Sequence, residues 1–510
     1  MTNVLYYGDN LDILRKYIKD ESIDLIYLDP PFNSKAIYNV LFPDLSGEAN
    51  HKSKSQVEAF TDFWTWDEKS AMTFDYMITN TNVPVKVSNL LTSLYNFLGK
   101  NAMSAYLVMM SARLLELHRV LKDTGTLYLH CDPTASHYIK LLLDSIFDEK
   151  NFRNEIIWFY PDSPGRPSRD FANKHDIIFR YVKSDKWTFN DKDIRIPILE
   201  ASVERYKSVR VLGGHEYLGG ESARIGKIPE DVWRFPVVKQ NSREALGYQT
   251  QKPLALLERI ISASSNKGDV VLDPFCGCGT TIDASEKLGR KWIGIDITHL
   301  AINLIKRRIK DRYPKADFEV IGEPKDLEGA MELAKNDRYQ FEWWALSLVD
   351  ARPINDKKKG TDKGIDGIII LNRFNPKDRT KIDAIKVLVQ VKSGHVQSSQ
   401  IRDLRGALMR EQAQYGLFIT LEEPTSDMEK EALSAGFTKT YAQEQIPKMQ
   451  ILTIKQLLDG VRPKLLHLNI SYQKAEPEKE EPDVRLRKIV NRKVKGEPVN
   501  TSKYKTWIED

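Results

Sequence analysis

The stretch IDLIYLDPPFNS, residues 23–34, carries a mostly apolar run straight into an acid, two prolines and an aromatic ring. A short continuous run such as Ile23–Leu28, bounded by turn residues, has the pattern of a strand buried on both faces of a parallel sheet. It delivers a carboxylate, Asp29, directly into Pro30, Pro31 and Phe32. The residues around it repeat the same logic. VLYYGDNLDILRKY reads as strand, turn and helix; MSAYLVMMSARLLELHRVLK is a helix before the strand GTLYLHC; ASHYIKLLLDSIF leads to the strands NEIIWFY and HDIIFRYV. Alternating strands and helices predict an open α/β sheet. Residues 33–100 read as irregular and polar around an aromatic knot, FTDFWTW.

Residues 160–250 break the rhythm and are rich in Gly, Pro, Arg and Lys. It returns with the helix QKPLALLERIISASS, the strand DVVLDPF, the helix GTTIDASEKLG, the strand KWIGIDI and the helix HLAINLIKRRIKDRY. A second globular unit is expected from about 325 to 465, and the mixed-charge segment 466–510 reads as a flexible tail.

At 510 residues the chain exceeds one ordinary core, and two to four domains are expected. Lys and Arg total 76 against 71 Asp and Glu, a net charge of +5, which permits nucleic-acid binding without arguing for it. Three cysteines cannot frame a disulfide scaffold of this size. Cys276-x-Cys278 lacks the further ligands of a zinc site and reads as two small residues in a tight turn. The N-terminus has neither the basic nor the apolar region of a signal peptide, and no apolar run spans a bilayer, so a cytoplasmic protein with no membrane partner is expected.

In VVLDPFCGCGTT a buried strand ends on Asp273, followed by Phe275, Gly277, Gly279, Thr280 and Thr281. Glycines permit a sharp turn and close approach to a ligand, and a helix opening at Thr280 directs free N–H groups toward it. The next strand, KWIGIDI, ends on Asp296, where a carboxylate can accept hydrogen bonds from both ribose hydroxyls of a nucleoside cofactor. The glycine pattern is not the GxGxxG of pyrophosphate binders, so a cofactor with a ribose but no pyrophosphate fits better.

LDPFCGCGTT and LDPPF together resemble the amino-methyltransferases of DNA, which use S-adenosylmethionine to methylate an exocyclic base nitrogen. With Asp-Pro-Pro-Phe ahead of the glycine motif, the order is similar to that of the permuted, β-class enzymes. The resemblance covers about residues 1–315. It implies a Rossmann-like sheet, a role for Gln251, Lys252 and Pro253 of YQTQKPLALLERII in closing the cofactor site, and a contact of Asp9 with the cofactor's adenine. It makes residues 1–320 the methyltransferase unit, with a target-recognition insert at about 160–247. That insert holds Arg166, Arg169, Lys174, Arg205, Lys207, Arg210 and Arg224, with Trp158, Tyr160 and Tyr206 nearby. Such cations suit phosphates and guanine edges, or a solvated basic surface.

The resemblance explains Asp29. An exocyclic amino group is a poor nucleophile because its lone pair is delocalised into the ring. Asp29 and the carbonyl near Pro30, presented rigidly by the prolines, accept its two N–H groups and free the lone pair. Phe32 offers a stacking face to a base flipped from the duplex. Asp at this position, in place of Ser, resembles the N6-adenine enzymes more than the N4-cytosine enzymes. The aromatic knot at 60–66 reads as a satellite core more readily than as a lid.

Beyond residue 325, YQFEWWALSLV is a helix carrying Glu342, KGTDKGIDGIIIL places Asp366 at a strand start, and AIKVLVQVKSG sets Gln390 and Lys392 on one face of a strand. This set resembles the PD-(D/E)xK nucleases, more narrowly the Mrr-type branch in which Gln replaces the second acid. Glu342, Asp366 and the Gln390 carbonyl offer oxygens suited to Mg²⁺, and Lys392 can orient a water and offset phosphorane charge. The basic run 357–363 reads as a solvated loop or a phosphate grip.

The sequence thus predicts an N6-adenine methyltransferase acting on double-stranded DNA, fused to a Mg²⁺-dependent restriction endonuclease. Three alternatives stand: an N4-cytosine enzyme, a C-terminal unit that only binds DNA or a partner, and a DNA-binding module with a dead cofactor pocket. A homodimer and a helicase or other restriction-system subunit stay open as partners; no Walker-type GxxxxGK[ST] occurs in the chain.

Overall fold

In the computed structural model the run at Ile23–Leu28 lies in the middle of a nine-stranded sheet. The structure describes residues 2–31, 37–42, 55–61, 64–161, 169–197, 210–212, 215–217, 226–239, 242, 244–246, 248, 250–354, 364–374, 382–439 and 445–465. The first elements are β1 (Asn3–Tyr7), α1 (Asn10–Tyr17), β2 (Ile23–Leu28), a hairpin of β3 (Ile37–Phe42) and β4 (Ser55–Thr61), α2 (Glu68–Thr79), α3 (Val85–Leu98) and α4 (Ala102–Val120). There follow β5 (Leu121–Cys131), α5 (Ser136–Phe147), β6 (Phe152–Phe159), β7 (His175–Val182), a hairpin of β8 (Arg210–Leu212) and β9 (His215–Tyr217), and β10 (Val232–Arg234). Then come α6 (Leu254–Ser264), β11 (Val270–Asp273), α7 (Thr280–Lys287), β12 (Lys291–Asp296), α8 (His299–Arg312) and β13 (Phe318–Ile321).

The strands lie in the order β10-β6-β7-β5-β2-β11-β12-β1-β13, parallel except where β7 runs against β5 and β6. Register places Leu28 beside Leu129 and Tyr7 beside Asp296, so the carboxyl ends of β1, β2, β5, β11 and β12 share one edge. That is where open α/β sheets bind ligands. β2 is apolar throughout its core-facing length because it is covered on both faces. Ile26 and Leu28 pack with α4 and α5, while Leu25 and Tyr27 pack with Leu257, Ile260 and Ile261 of α6.

Two expectations change. Residues 33–100 are not irregular throughout: α3 buries Val87, Leu91 and Leu94, one helical stripe, against the main core. And the stretch 160–250 does not only break the rhythm: β10 joins the main sheet, as does β7, the strand that HDIIFRYV predicts.

The second sheet has the order β14-β15-β16-β17-β20. Its elements are α9 (Leu327–Asn336), α10 (Arg338–Ser347), β14 (Arg352–Pro353), β15 (Gly367–Phe374), β16 (Ile382–Lys392), α11 (Ser398–Arg410), β17 (Tyr415–Thr420) and α12 (Ser426–Ser434). A small pair, β18 (Phe437–Lys439) and β19 (Gln445–Pro447), precedes β20 (Met449–Thr453) and α13 (Ile454–Leu458). β15 pairs antiparallel with β16, then β16, β17 and β20 run parallel. Phe341 and Trp344 of α10 cover one face and Ile401 and Leu404 of α11 the other.

Residues 1–472 form one compact unit, so the two sheets meet. The amide of His299, opening α8, donates to Gln340 Oε1 of α10 at 3.0 Å. Trp343 packs against Tyr248, Cys278 and Leu300. Segment 466–510, expected as a tail, lies outside the described residues.

Candidate functional site

After β11 the chain turns into α7 through two left-handed glycines, Gly277 (φ +47°) and Gly279 (φ +75°). A Cβ on Gly279 would come within 2.6 Å of Ile305 Cγ1, so this glycine serves the packing of α7 on α8 and does not line the cavity. Gly277 does line it, and its N–H donates to Asp296 Oδ2 at 2.9 Å. The other oxygen, Asp296 Oδ1, accepts from the Thr298 amide and hydroxyl, each at 2.9 Å. Burial outweighs these bonds and raises Asp296 to about 6. Asp273 is raised further, to about 7, by burial, with the charges of Asp29 and Asp296 adding to it.

One cavity is walled by Asp9, Asp29, Pro30, Pro31, Lys252, Asp273, Phe275, Gly277, Thr280, Thr281 and Asp296, residues drawn from four strand ends and two loops. Asp9 caps α1 through the Leu11 amide and pairs with Arg113 Nη2 of α4 at 2.7 Å. Burial pushes Asp9 up, but the Arg113 charge and the cap hold it below its ordinary value. Arg113 was not legible in the sequence, since it meets Asp9 only through the fold. Trp64 also reaches the cavity, whereas Trp66 packs with Phe74 and Tyr95 in a satellite cluster.

Asp29 stands at the exit of β2. Its Oδ2 accepts from Lys252 Nζ, and its Oδ1 is buried with no hydrogen-bond partner. Lys252, expected on the cofactor, thus sits on the acid. Gln251 turns away from the cavity because its amide is taken up bracing the preceding loop. Its Oε1 accepts from the Leu246 amide and its Nε2 donates to the Glu244 carbonyl, both at 2.8 Å. Pro253 is absent from the wall because it opens α6 as its N-terminal flank. Phe32 lies outside the described residues, as do Arg166, Arg205, Tyr206, Lys207 and Arg224 and the side chain of Arg210. Arg169 is exposed and Lys174 half-buried, while Trp158 is in the core. Behind Asp29 lies a buried histidine that no motif marks. His130 lies with Nδ1 3.7 Å from Asp29 Oδ1 and Nε2 3.1 Å from Asp176 Oδ2.

The second cluster forms where β15 and β16 meet α10. The Asp366 amide donates to the Val389 carbonyl at 2.9 Å, and its Oδ2 accepts from the Val391 amide at 2.7 Å. This fixes the acid beside Gln390, whose Oε1 is buried without a hydrogen-bond partner. Glu342 is raised to about 7 by burial and then by Asp366, with Arg338 and Lys392 pulling it down. Two largely buried carboxylates that feel each other's charge, next to an orphaned amide oxygen, form a donor set that fits a hard divalent cation. Among the described residues no group of three or more His, Cys, Asp or Glu converges as a metal site. The basic run 357–363 lies outside the described residues.

The chain is similar to several bacterial enzymes. The DNA adenine methyltransferase YhdJ of Escherichia coli (strain K12) is 36% identical over 195 residues, 38% of this chain and 63% of the relative. Type II methyltransferase M.HpaI of Haemophilus parainfluenzae is 35% identical over 199 residues, covering 39% and 57% of the two chains. Type II methyltransferase M1.MboII of Moraxella bovis is 33% identical over 196 residues, covering 37% and 72%. The match thus spans between half and three quarters of each relative. The family model of restriction endonucleases matches residues 333–457, the unit that carries Glu342, Asp366, Gln390 and Lys392. The model of DNA methylases matches residues 23–307, from the strand that ends on Asp29 through most of α8, and the chain belongs to that family.

Proposed function

We propose that this protein methylates the N6 amino group of adenine at specific sites in double-stranded DNA, and that its C-terminal unit cuts DNA lacking the mark. The observation that carries the first part is Asp29 Oδ1. A buried acceptor without a donor is costly, and an N–H group entering the cavity relieves it. Lys252 occupies the other oxygen, so the vacant one is directed to a single donor. The amino group gives one N–H to Asp29 and the other to the carbonyl near Pro30, and its lone pair is released. Phe32 keeps its proposed role as the stacking face. Asp296, Asp9, Phe275 and the start of α7 at Thr280 and Thr281 hold S-adenosylmethionine, which supplies the methyl group as a sulfonium. The chain's contribution is mostly to position two bound reactants.

In the second unit Glu342, Asp366 and Gln390 hold Mg²⁺, with Lys392 beside them to orient a water. The ion supplies an acidified water and charge neutralisation at phosphate. The orphaned Gln390 oxygen and the raised Glu342 support this over a unit that only binds DNA. The homodimer is kept as a proposal, which light scattering of the full chain with and without DNA tests.

The experiment uses unmethylated duplex plasmid, radiolabelled S-adenosylmethionine and Mg²⁺. Label is expected in N6-methyladenine, and Asp29→Asn abolishes it; label in N4-methylcytosine overturns the choice of base. The wild type is expected to cut the unmethylated plasmid and spare the premethylated one, with Lys392→Ala unable to cut. Methylation without cutting by the wild type overturns the nuclease reading.

A further inference from the structure

Across the sheet edge behind Asp29 runs a buried chain of polar groups that methyl transfer as described does not use. Tyr27 Oη lies 3.1 Å from His130 Nδ1, His130 Nε2 lies 3.1 Å from Asp176 Oδ2, and Tyr160 Oη donates to Asp176 Oδ1 at 2.9 Å. The groups come from β2, β5, β7 and the residue after β6, brought together by the strand order. His130 is fully buried, with the edge of its ring against Trp158 at a centroid distance of 5.4 Å.

These contacts fix the tautomer. Burial, with the charges of Asp29, Asp273 and Asp176, pushes the Tyr27 hydroxyl well above its ordinary value, so it keeps its proton and donates to Nδ1. Burial pushes Asp176 up, but the hydrogen bond with His130, the Lys252 charge and the hydrogen bond from Tyr160 hold it below its ordinary value, so it is a carboxylate. Nε2 therefore carries the proton and donates to Asp176, and the basic nitrogen, Nδ1, faces Asp29 Oδ1 across 3.7 Å. The imidazole is aligned by a carboxylate on its far side, and on its near side Nδ1 lies between the Tyr27 hydroxyl and Asp29 Oδ1, so it can act as a base for Asp29 once Tyr27 swings from donor to acceptor.

We propose that His130, aligned by Asp176, takes from Asp29 the proton that the adenine amino group must lose when it is methylated. The inference rests on the methyltransferase reading above. The N6–CH₃ bond forms as the sulfonium S–CH₃ bond breaks with its electron pair left on sulfur. N6 then has four bonds and sheds one proton to Asp29 Oδ1. The neutral acid passes that proton to Nδ1, and the Tyr27 hydroxyl turns from donor to acceptor. The resulting imidazolium lies between two carboxylates, Asp29 and Asp176, and Asp29 is restored for the next cycle. The charged and titratable groups around the imidazole are Tyr27 of β2 and Asp29 just after it, Cys131 at the end of β5 and Asp132 just after it, Asp176 from β7, Tyr160, and Lys252. His130 touches neither reactant and acts through Asp29, so it is a positioning and relay residue.

The test compares the full chain with His130→Asn and Asp176→Asn in pre-steady-state methylation of duplex DNA, with calorimetric Kd for S-adenosylmethionine. His130→Asn is expected to lower the methylation rate about a hundredfold, the usual worth of a positioned general base, while the Kd for the cofactor and the KM for DNA stay unchanged. A free-protein readout stands beside the kinetics. Ring ¹⁵N shifts are expected to show the proton of His130 on Nε2, with that preference lost in Asp176→Asn. An active wild type with an equally active His130→Asn, or a wild-type ring protonated at Nδ1, overturns the relay alone. A wild type that transfers no methyl group overturns the methyltransferase reading, and the relay with it.

Discussion

Asp296 shows how much one side chain's setting governs its use. Its carboxylate is half-buried, bonded by Gly277 and Thr298, and raised to about 6. Ribose hydroxyls donate to the charged form, so bound cofactor favours loss of the proton. Affinity for S-adenosylmethionine is expected to be constant above about pH 7 and to fall toward tenfold per unit below about pH 6. For stability the sign is the reverse. A raised carboxylate favours the fold while protonated, and that contribution fades as pH rises through about 6. Isothermal titration between pH 5 and 8 checks the first statement, and Asp296→Asn is expected to bind weakly with no slope in this range. Asp296 was legible because it ends a buried strand after a glycine turn. Lys252 was legible as a cavity residue but its pairing was not, since its partner Asp29 lies 223 residues away in the chain and only the fold joins them.

The elements around the cavity depend on each other through close helix packing. Gly279 caps α7 in a left-handed conformation, directly under Ile305 of α8. Gly279→Ala would put a methyl group into that contact and a side chain at positive φ. Overpacking and the conformational penalty together are expected to cost about 2–3 kcal/mol, read by denaturant unfolding of the full chain. Gly279→Ala should cost less in an Ile305→Ala background, which lacks the clashing Cγ1, whereas a purely conformational penalty would be the same in both backgrounds. The strands and helices of the large sheet were legible because both-face burial and helical stripes leave continuous or periodic apolar patterns, as in β2 and α6. α2 and α3 were not, since α2 buries only Met77 and the stripe of α3 sits inside a polar context. His130 was unreadable for a different reason: in GTLYLHC it looks like one more strand residue, and its meaning comes from Asp176 on an antiparallel neighbour.

At the scale of the whole molecule, two chemistries share one compact unit, and their acids report differently on solution conditions. Glu342, at about 7, favours the folded state while protonated. That contribution is complete below its unfolded value near 4.5 and is lost as pH rises through about 7. On the proposed reading Mg²⁺ takes the ionised form and restores what is lost. Thermal melting is therefore expected to show Mg²⁺ stabilisation at pH 8 and little at pH 5, with Glu342→Gln insensitive to both. A wild type that Mg²⁺ stabilises equally at the two pH values would refute this account of the site. The order of the strands has a further consequence, in time. β2 lies between β5 and β11, and β11 begins 242 residues after β2 ends. At about 5–20 residues per second a ribosome leaves that edge of β2 open for roughly 10–50 s. An apolar strand with a bare edge invites association, so nascent chains depend on protection during this interval. The same schedule completes the large sheet, with the cavity at its edge, before the strands of the small sheet have been made. On the proposed reading, the site that protects DNA is therefore assembled before the site that cuts it.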